Sequence, residues 1–345
     1  MKKVFDRRTV LQGTSALGAA ALASSPFDAF GMGHGKKFPS KDINIMVGTR
    51  EGGGADRNQR LVTTVWKKYL KVNFEASFYP GAAGRVGYQK YMGLAKDDGH
   101  TLLFGNMGPE TLNWVVSKPK GFSFPGDYVY FNQVDLDPSV FFVHKKRAKF
   151  NTIEELIAEG KKRTLNVGVS RLAHPASLGA LALAKHLGLD FNLIPLSGGK
   201  NTRKGVASGE MDFGALPSGG IARKYKSWKT LVTFDLNKPT GDYAKALYTA
   251  PMVNQKFGMH LPALASARAF AVKTSFTKKH PDRYAKLIAT GKATIEDPDF
   301  KKAVLKAKLP WNLIKWGTPE DCAAYAKDIM AVGRDFADLM SSKKK

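Results

Sequence analysis

The chain has 345 residues, 43% hydrophobic and 24% charged, with a single cysteine, Cys322. That length buries a full core in one large or two mid-sized domains. The composition argues against disorder, collagen-like repeats and coiled coils, and one cysteine excludes an internal disulfide or a Cys-rich zinc site. Lys and Arg outnumber Asp and Glu by 54 to 29, a net charge of +25 spread along the whole length. A field of that sign attracts anions, whether phosphate, carboxylate or acidic surfaces.

Residues 1–25 read as an export signal. Lys2, Lys3, Arg7 and Arg8 form a basic start, residues 9–23 are small and apolar, and Ala21-Leu22-Ala23 offers a small-x-small cleavage site. Asp6-Arg7-Arg8-Thr9-Val10-Leu11 is similar to the twin-arginine export motif; a chance Arg pair in an ordinary secretory signal is the alternative. No cysteine follows the apolar run, which excludes a lipoprotein anchor. Cleavage after residue 23 would leave a net charge of +22. No later stretch reaches the roughly 18 apolar residues of a spanning helix, so a soluble periplasmic protein is expected. Residues 26–37 read as a flexible leader.

Beyond the leader, short apolar runs alternate with amphipathic segments. A strand over 43–47 leads through Gly52-Gly53-Gly54 into a helix over 56–69. A strand over 72–79, a helix over 86–95 and a strand over 101–104 follow. A second cycle has a strand over 140–144, a helix over 152–162 opened by the capping-box pattern Thr152-x-x-Glu155, and a strand over 165–169. A helix over 176–187, a strand over 191–196, a helix over 200–207 and strands over 212–215 and 230–234 come next. The last segments are a strand over 267–273 and helices over 281–294, 298–306 and 319–339. This alternation implies a parallel α/β sheet. It divides into two α/β lobes, with 38–139 and 264–345 as the first and 140–263 as the second. The carboxyl ends of the strands line a ligand cleft between them.

The chemistry points to binding. The seven histidines show no metal-ligand spacing, no Gly-x-Ser-x-Gly elbow occurs, and Ser177 and Ser218 have no base nearby in sequence. Cys322 reads as a buried small hydrophobe. No cofactor and no metal are called for. Two glycine loops stand at strand-to-helix junctions, Gly52-Gly53-Gly54-Ala55-Asp56 and Gly81-Ala82-Ala83-Gly84-Arg85-Val86-Gly87. Each reads equally as a tight turn or as an anion site made of backbone N–H groups at a helix start. Neither is a Walker A or dinucleotide fingerprint. Tyr88, Tyr91, Trp114 and Phe270 either line a cleft for an aromatic acid or pack in the core.

At these residues the chain resembles a known family, the extracytoplasmic solute receptors of tripartite tricarboxylate transporters, the TctC or Bug type. Phe38-Pro39-Ser40-Lys41-Asp42-Ile43 is similar to the family's lead into its first strand, and Gly52 to Asp56 to its first glycine loop. Tyr79-Pro80-Gly81-Ala82-Ala83-Gly84 resembles the second loop, and Asp97-Asp98-Gly99-His100-Thr101-Leu102-Leu103 a "P-D-G-Y-T-L-L" stretch. Thr152-Ile153-Glu154-Glu155-Leu156 and Gly209-Glu210-Met211-Asp212 match later motifs, so the resemblance runs from about 38 to 335.

It implies a type II periplasmic-binding-protein fold, a monomer, no enzymatic activity, capture of a small organic anion and delivery to membrane permease subunits. It places Gly53, Gly54, Ala55, Gly81, Ala82 and Ala83 against one carboxylate. Asn106, Ser170, Arg171, Ser177 and Ser218 complete the expected ligand contacts. The sequence departs from the family at Ser170 to Pro175, where a glycine-rich loop is usual, at Ser177, where a His is common, and at Glu51. Arg171 either makes a bidentate contact to a second carboxylate or points to solvent. Two other classes remain open: a periplasmic enzyme acting on a small acidic substrate, and a surface polyanion-binding protein. Nucleic acid is not expected, because basic and aromatic residues do not interleave locally.

Overall fold

The computed structural model describes residues 37–121, 123–238, 247 and 250–341. The expected export signal and nearly all of the leader lie outside the described residues.

The strands are β1 (Ile43–Val47), β2 (Phe74–Phe78), β3 (Thr101–Asn106), β4 (Tyr128–His144), β5 (Leu165–Val169), β6 (Phe191–Pro195), β7 (Phe213–Pro217), β8 (Trp228–Thr233), β9 (Ala265–Lys273) and β10 (Ile314–Gly317). The helices that position the site are α1 (Gly54–Leu70), α2 (Arg85–Leu94), α3 (Met107–Ser117), α4 (Ile153–Gly160), α5 (Pro175–Leu187), α6 (Gly199–Ser208) and α7 (Gly219–Ala222). The strands form one sheet in the order β2-β1-β3-β9-β4-β7-β5-β6, with β8 and β10 also paired to β4.

The expectation of a parallel sheet is correct only at the two ends and is corrected in the middle. β1 runs parallel to β2 and β3, and β5 to β6 and β7. Between these groups, β4 pairs antiparallel with β7 and β9, and β9 pairs antiparallel with β3. The physical reason is the path of the chain. It leaves the first group of strands along β4 and re-enters it along β9 after completing the second group, so the outward and return strands run in opposite directions. Residues 128–138 of β4 pair with β9, and residues 139–144 pair with β7 and β8. One continuous strand therefore belongs to both lobes.

Local sequence accounts for most elements. α1 turns Val62, Val65 and Trp66 inward, and the Trp66 indole N–H donates to the Thr290 hydroxyl at 2.8 Å. The Thr152 cap forms, accepting the Glu155 N–H at 3.1 Å, while the Glu155 carboxylate accepts from Asn151 N–H at 2.6 Å. The helix expected over 319–339 is broken into Pro319–Arg334 and Ala337–Met340. Two main apolar cores form. One gathers Ile43, Ile45, Val47, Trp66, Phe104 and Phe270; the other gathers Phe141, Val167, Val169, Leu178 and Phe213 and draws in Leu112, Ile329 and Met340 from segments expected in the first lobe.

Candidate functional site

The first glycine loop begins α1, with Gly53 as N-cap. Part of its donor capacity is already used. Gly52 N–H donates to the Asp56 carboxylate at 2.8 Å and Gly53 N–H to the Arg50 carbonyl at 3.2 Å. Asp56 also accepts from Gln59 and Arg60, and these bonds hold its carboxyl below the usual range against the opposing effect of burial. Gly54 and the buried Ala55 form the first turn behind them. Gly54 faces Arg268, whose Nη2 would stand 3.4 Å from a Cβ at that position.

In the second loop Gly81 and Ala82 are exposed, and Ala82, Ala83 and Gly84 make a single 3₁₀ turn. Gly84 is the member that meets the site. It has φ +106°, and a Cβ there would lie 2.5 Å from Glu110 Oε1. The carbonyl of Gly84 would stand 3.0 Å from a Cβ on Gly48. Glycine is required here for close approach as well as for backbone conformation.

Glu110 is a site residue that sequence reasoning missed. It lies in the first turns of α3, a helix absent from the elements expected from the sequence. Its side chain is 4% exposed, and among the described residues neither oxygen has a hydrogen-bond partner. Arg171 Nη1 stands 3.7 Å from Oε1. Burial pushes the Glu110 carboxyl up to about 7, with Arg171 opposing. Asn106, the residue before α3, pairs in register with Arg268 of β9.

The remaining candidates sit on the second lobe. Ser170 accepts the Gly198 N–H on its carbonyl at 3.1 Å. Arg171 turns toward Glu110, with 22% of its side chain exposed. Ser177 is fully buried, and its hydroxyl donates to the Arg171 carbonyl at 2.7 Å. It shapes the loop that carries Arg171. Ser218 is also fully buried, donating its hydroxyl to Asp137 Oδ1 at 2.8 Å. His174 caps α5: Nδ1 accepts the Ala176 N–H at 3.0 Å, and Nε2 faces the Ser266 hydroxyl at 3.2 Å. Because Nδ1 is an acceptor, the neutral ring carries its proton on Nε2 and has no lone pair for Ser266. Burial, then Arg171 and Arg268, keep this imidazole neutral. The pair is a helix cap, and its tautomer removes it from general-base chemistry.

The junction of the lobes is built on two aspartates of β4 and one arginine of β9. Arg268 pairs with Asp135 through both its backbone N–H, at 2.9 Å, and its guanidinium, and Asn58 donates to Asp135 at 2.6 Å. Asp137 accepts from Ser218 and from Gly219 N–H, both at 2.8 Å. Burial pushes Asp135 up to about 6 and raises Asp137, with Arg268 opposing in both cases.

Asp135, Asp137 and Arg268 border a small cavity of about 50 Å³ between the lobes. Arg57 of α1 and Arg223, just beyond α7, face it from opposite sides. None of these arginines carries a local sequence signal.

Tyr88, Tyr91 and Phe270 belong to the core, and Trp114 donates to the Tyr128 hydroxyl at 3.1 Å. Cys322 is buried, its thiol pushed up to about 12. Among the described residues no group of three His, Cys, Asp or Glu side chains is placed to hold a metal ion. No described helix is long and apolar enough to cross a membrane.

No protein-family model and no curated protein matches the chain. Solved structures do. A TctC solute-binding protein from Polaromonas is 19% identical, with TM-score 0.66, covering 88% of this chain and 98% of that one. The periplasmic binding protein BugD is 17% identical, with TM-score 0.70, covering 89% and 100%. MatC from Rhodopseudomonas palustris, solved with bound malate, is 18% identical, with TM-score 0.69, covering 88% and 100%. The chain thus has the two-lobed α/β fold of periplasmic binding proteins, with TctC and Bug-type solute-binding proteins among its structural neighbours.

Proposed function

We propose that the protein is an extracytoplasmic solute receptor that closes its two lobes around a small organic anion, a carboxylate. The observation that carries this reading is that Arg171 of the second lobe stands 3.7 Å from Glu110 of the first, which itself lies against Gly84 of the second glycine loop. A cation from one lobe faces backbone and a helix start from the other. A ligand carboxylate would take the place opposite Arg171, with Asn106 and the starts of α1 and α3 around it. Closure by rigid-body motion of the lobes would make the liganded form distinct. In this reading the chain is exported, acts as a monomer in the periplasm, lacks enzymatic activity and delivers its ligand to the permease subunits of a tripartite transporter. The malate of MatC is a ligand of the size and charge intended.

Thermal shift against mono-, di- and tricarboxylates, at low and high salt, tests it. A salt-resistant rise with one carboxylate class, lost in Arg171→Gln, is expected. A rise produced only by polyanions and abolished by salt would assign the charge to the surface. Ligand uptake by cells with and without the permease subunits tests the partnership.

A further inference from the structure

Three arginines gather at the small cavity between the lobes: Arg57 and Arg223 line it, and Arg203 lies against Gly220, which lines it too. Arg57 comes from α1, Arg203 from α6 and Arg223 from the turn after α7. Among the described residues, no carboxylate stands within salt-bridge reach of any of them. Arg57 Nη1 donates to the Gly52 carbonyl at 2.7 Å; Asp56 opposes its charge only weakly, being itself engaged by Gly52, Gln59 and Arg60. Arg203 Nη1 lies 3.0 Å from where a Cβ on Gly220 would stand and 3.3 Å from one on Gly199. Two glycines thus make room for this guanidinium between α6 and α7. Desolvation by the surrounding protein first, and then the neighbouring arginines, weaken proton binding on the exposed Arg57 and the half-buried Arg203: Arg223 and Arg268 act on the first, with Asp56 opposing, and Arg57 and Arg223 on the second. Arg57 of one lobe and Arg203 of the other therefore both stand in the field of Arg223. Arg268 differs from them, because Asp135 and Asp137 offset it.

Like charges gathered from both sides of a cleft resist its closing until an anion joins them. A carboxylate offers two coplanar oxygens and one charge. Three guanidiniums from three separate elements match a group with more oxygens, spread in three dimensions, and a charge near two. We propose that Arg57, Arg203 and Arg223 form an anion subsite for a phosphoryl group, either inorganic phosphate or the phosphate ester of a small organic acid. This rests on the receptor reading only in requiring that the lobes close on a ligand.

Calorimetric titration of the full chain with inorganic phosphate, 3-phosphoglycerate and malate tests it, using wild type, Arg203→Gln and Arg223→Gln. Circular dichroism melts of the unliganded variants check folding. The expected result is that a phosphoryl probe binds and that each substitution weakens it about tenfold or more, with malate affinity little changed. Binding by both phosphoryl probes points to free phosphate as sufficient, and by the ester alone to a phosphorylated acid. Malate binding without phosphoryl binding would overturn the subsite and leave the receptor standing. Equal weakening of malate and phosphoryl probes would also overturn it, as a general field effect. Phosphoryl binding without malate binding would keep the subsite and remove the carboxylate reading. If neither binds, both are overturned.

Discussion

Glu110 and Arg171 face one another at 3.7 Å, the carboxylate from the start of α3 and the guanidinium from the loop before α5. The separation exceeds a hydrogen bond, and the carboxylate is almost wholly removed from water. A buried carboxyl without a close partner is held toward its neutral form. The cleft thus contains an acid that titrates near neutrality beside a permanent cation.

This arrangement predicts a pH effect of definite sign. With a folded-state value of about 7 against an ordinary 4.5, the folded protein binds this proton more tightly than the unfolded chain. The contribution is fully present below pH 4.5 and is lost as pH rises through 7. The loss approaches about 3 kcal/mol by pH 8. Glu110→Gln should therefore stabilise the protein at pH 8 and change it little at pH 4.5, as urea denaturation at the two values would read. An equal effect at both would mean that the carboxyl's charge is not the cause.

His174 acts in the opposite direction. Its imidazole is held well below its usual 6.5, so its contribution is present above pH 6.5 and lost as pH falls below it. Nitrogen-15 spectra should show a neutral ring protonated on Nε2 at pH 6. His174→Ala should cost about 1 kcal/mol through loss of the α5 cap. A charged ring at pH 6 would contradict the capping geometry.

Removing the Arg268 side chain charge leaves Asp135 and Asp137 buried together. Arg268→Met should destabilise the protein by about 3–5 kcal/mol at pH 7. Part of that loss should return at pH 5, where the carboxyls protonate more readily. Melting temperatures of the variant across this range provide the check, and a loss independent of pH would favour packing over charge.

The glycines of the two loops should respond unequally. Gly52 has φ +71° with nothing within 4 Å of a Cβ, so Gly52→Ala should cost about 1 kcal/mol of backbone strain. Gly84→Ala adds overlap with Glu110 to its own positive φ and should cost about 3 kcal/mol or more. If Glu110→Ala restores much of that second loss in the double variant, close approach is the dominant cause.

The β-α-β cycles were legible because strands and helices impress their own periods on the sequence, and the glycines marked where each cycle turns. β4 was legible only at its end. Asn132, Gln133, Asp135 and Asp137 are all buried along it, and four buried polar residues with a proline interrupt any apolar pattern. Their burial makes sense only beside partners from distant segments, such as Arg268, Asn58, Ser218 and the Leu287 carbonyl, which Asn132 bonds at 2.8 Å. The expected contacts Ser177 and Ser218 are fully buried, and their hydroxyls are bound to the Arg171 carbonyl and to Asp137.

By itself, the sequence determined the α/β class, the two cycles of alternation, the glycine turns and the helix caps, because each depends on residues within a few positions of one another. The tertiary structure decided the antiparallel centre of the sheet, the burial of Glu110 beside Arg171 and the gathering of Arg57, Arg203 and Arg223. Those are properties of residues far apart in the chain. Charge and burial act through space, so a buried carboxyl or a cluster of arginines exists only once the lobes have brought its members together.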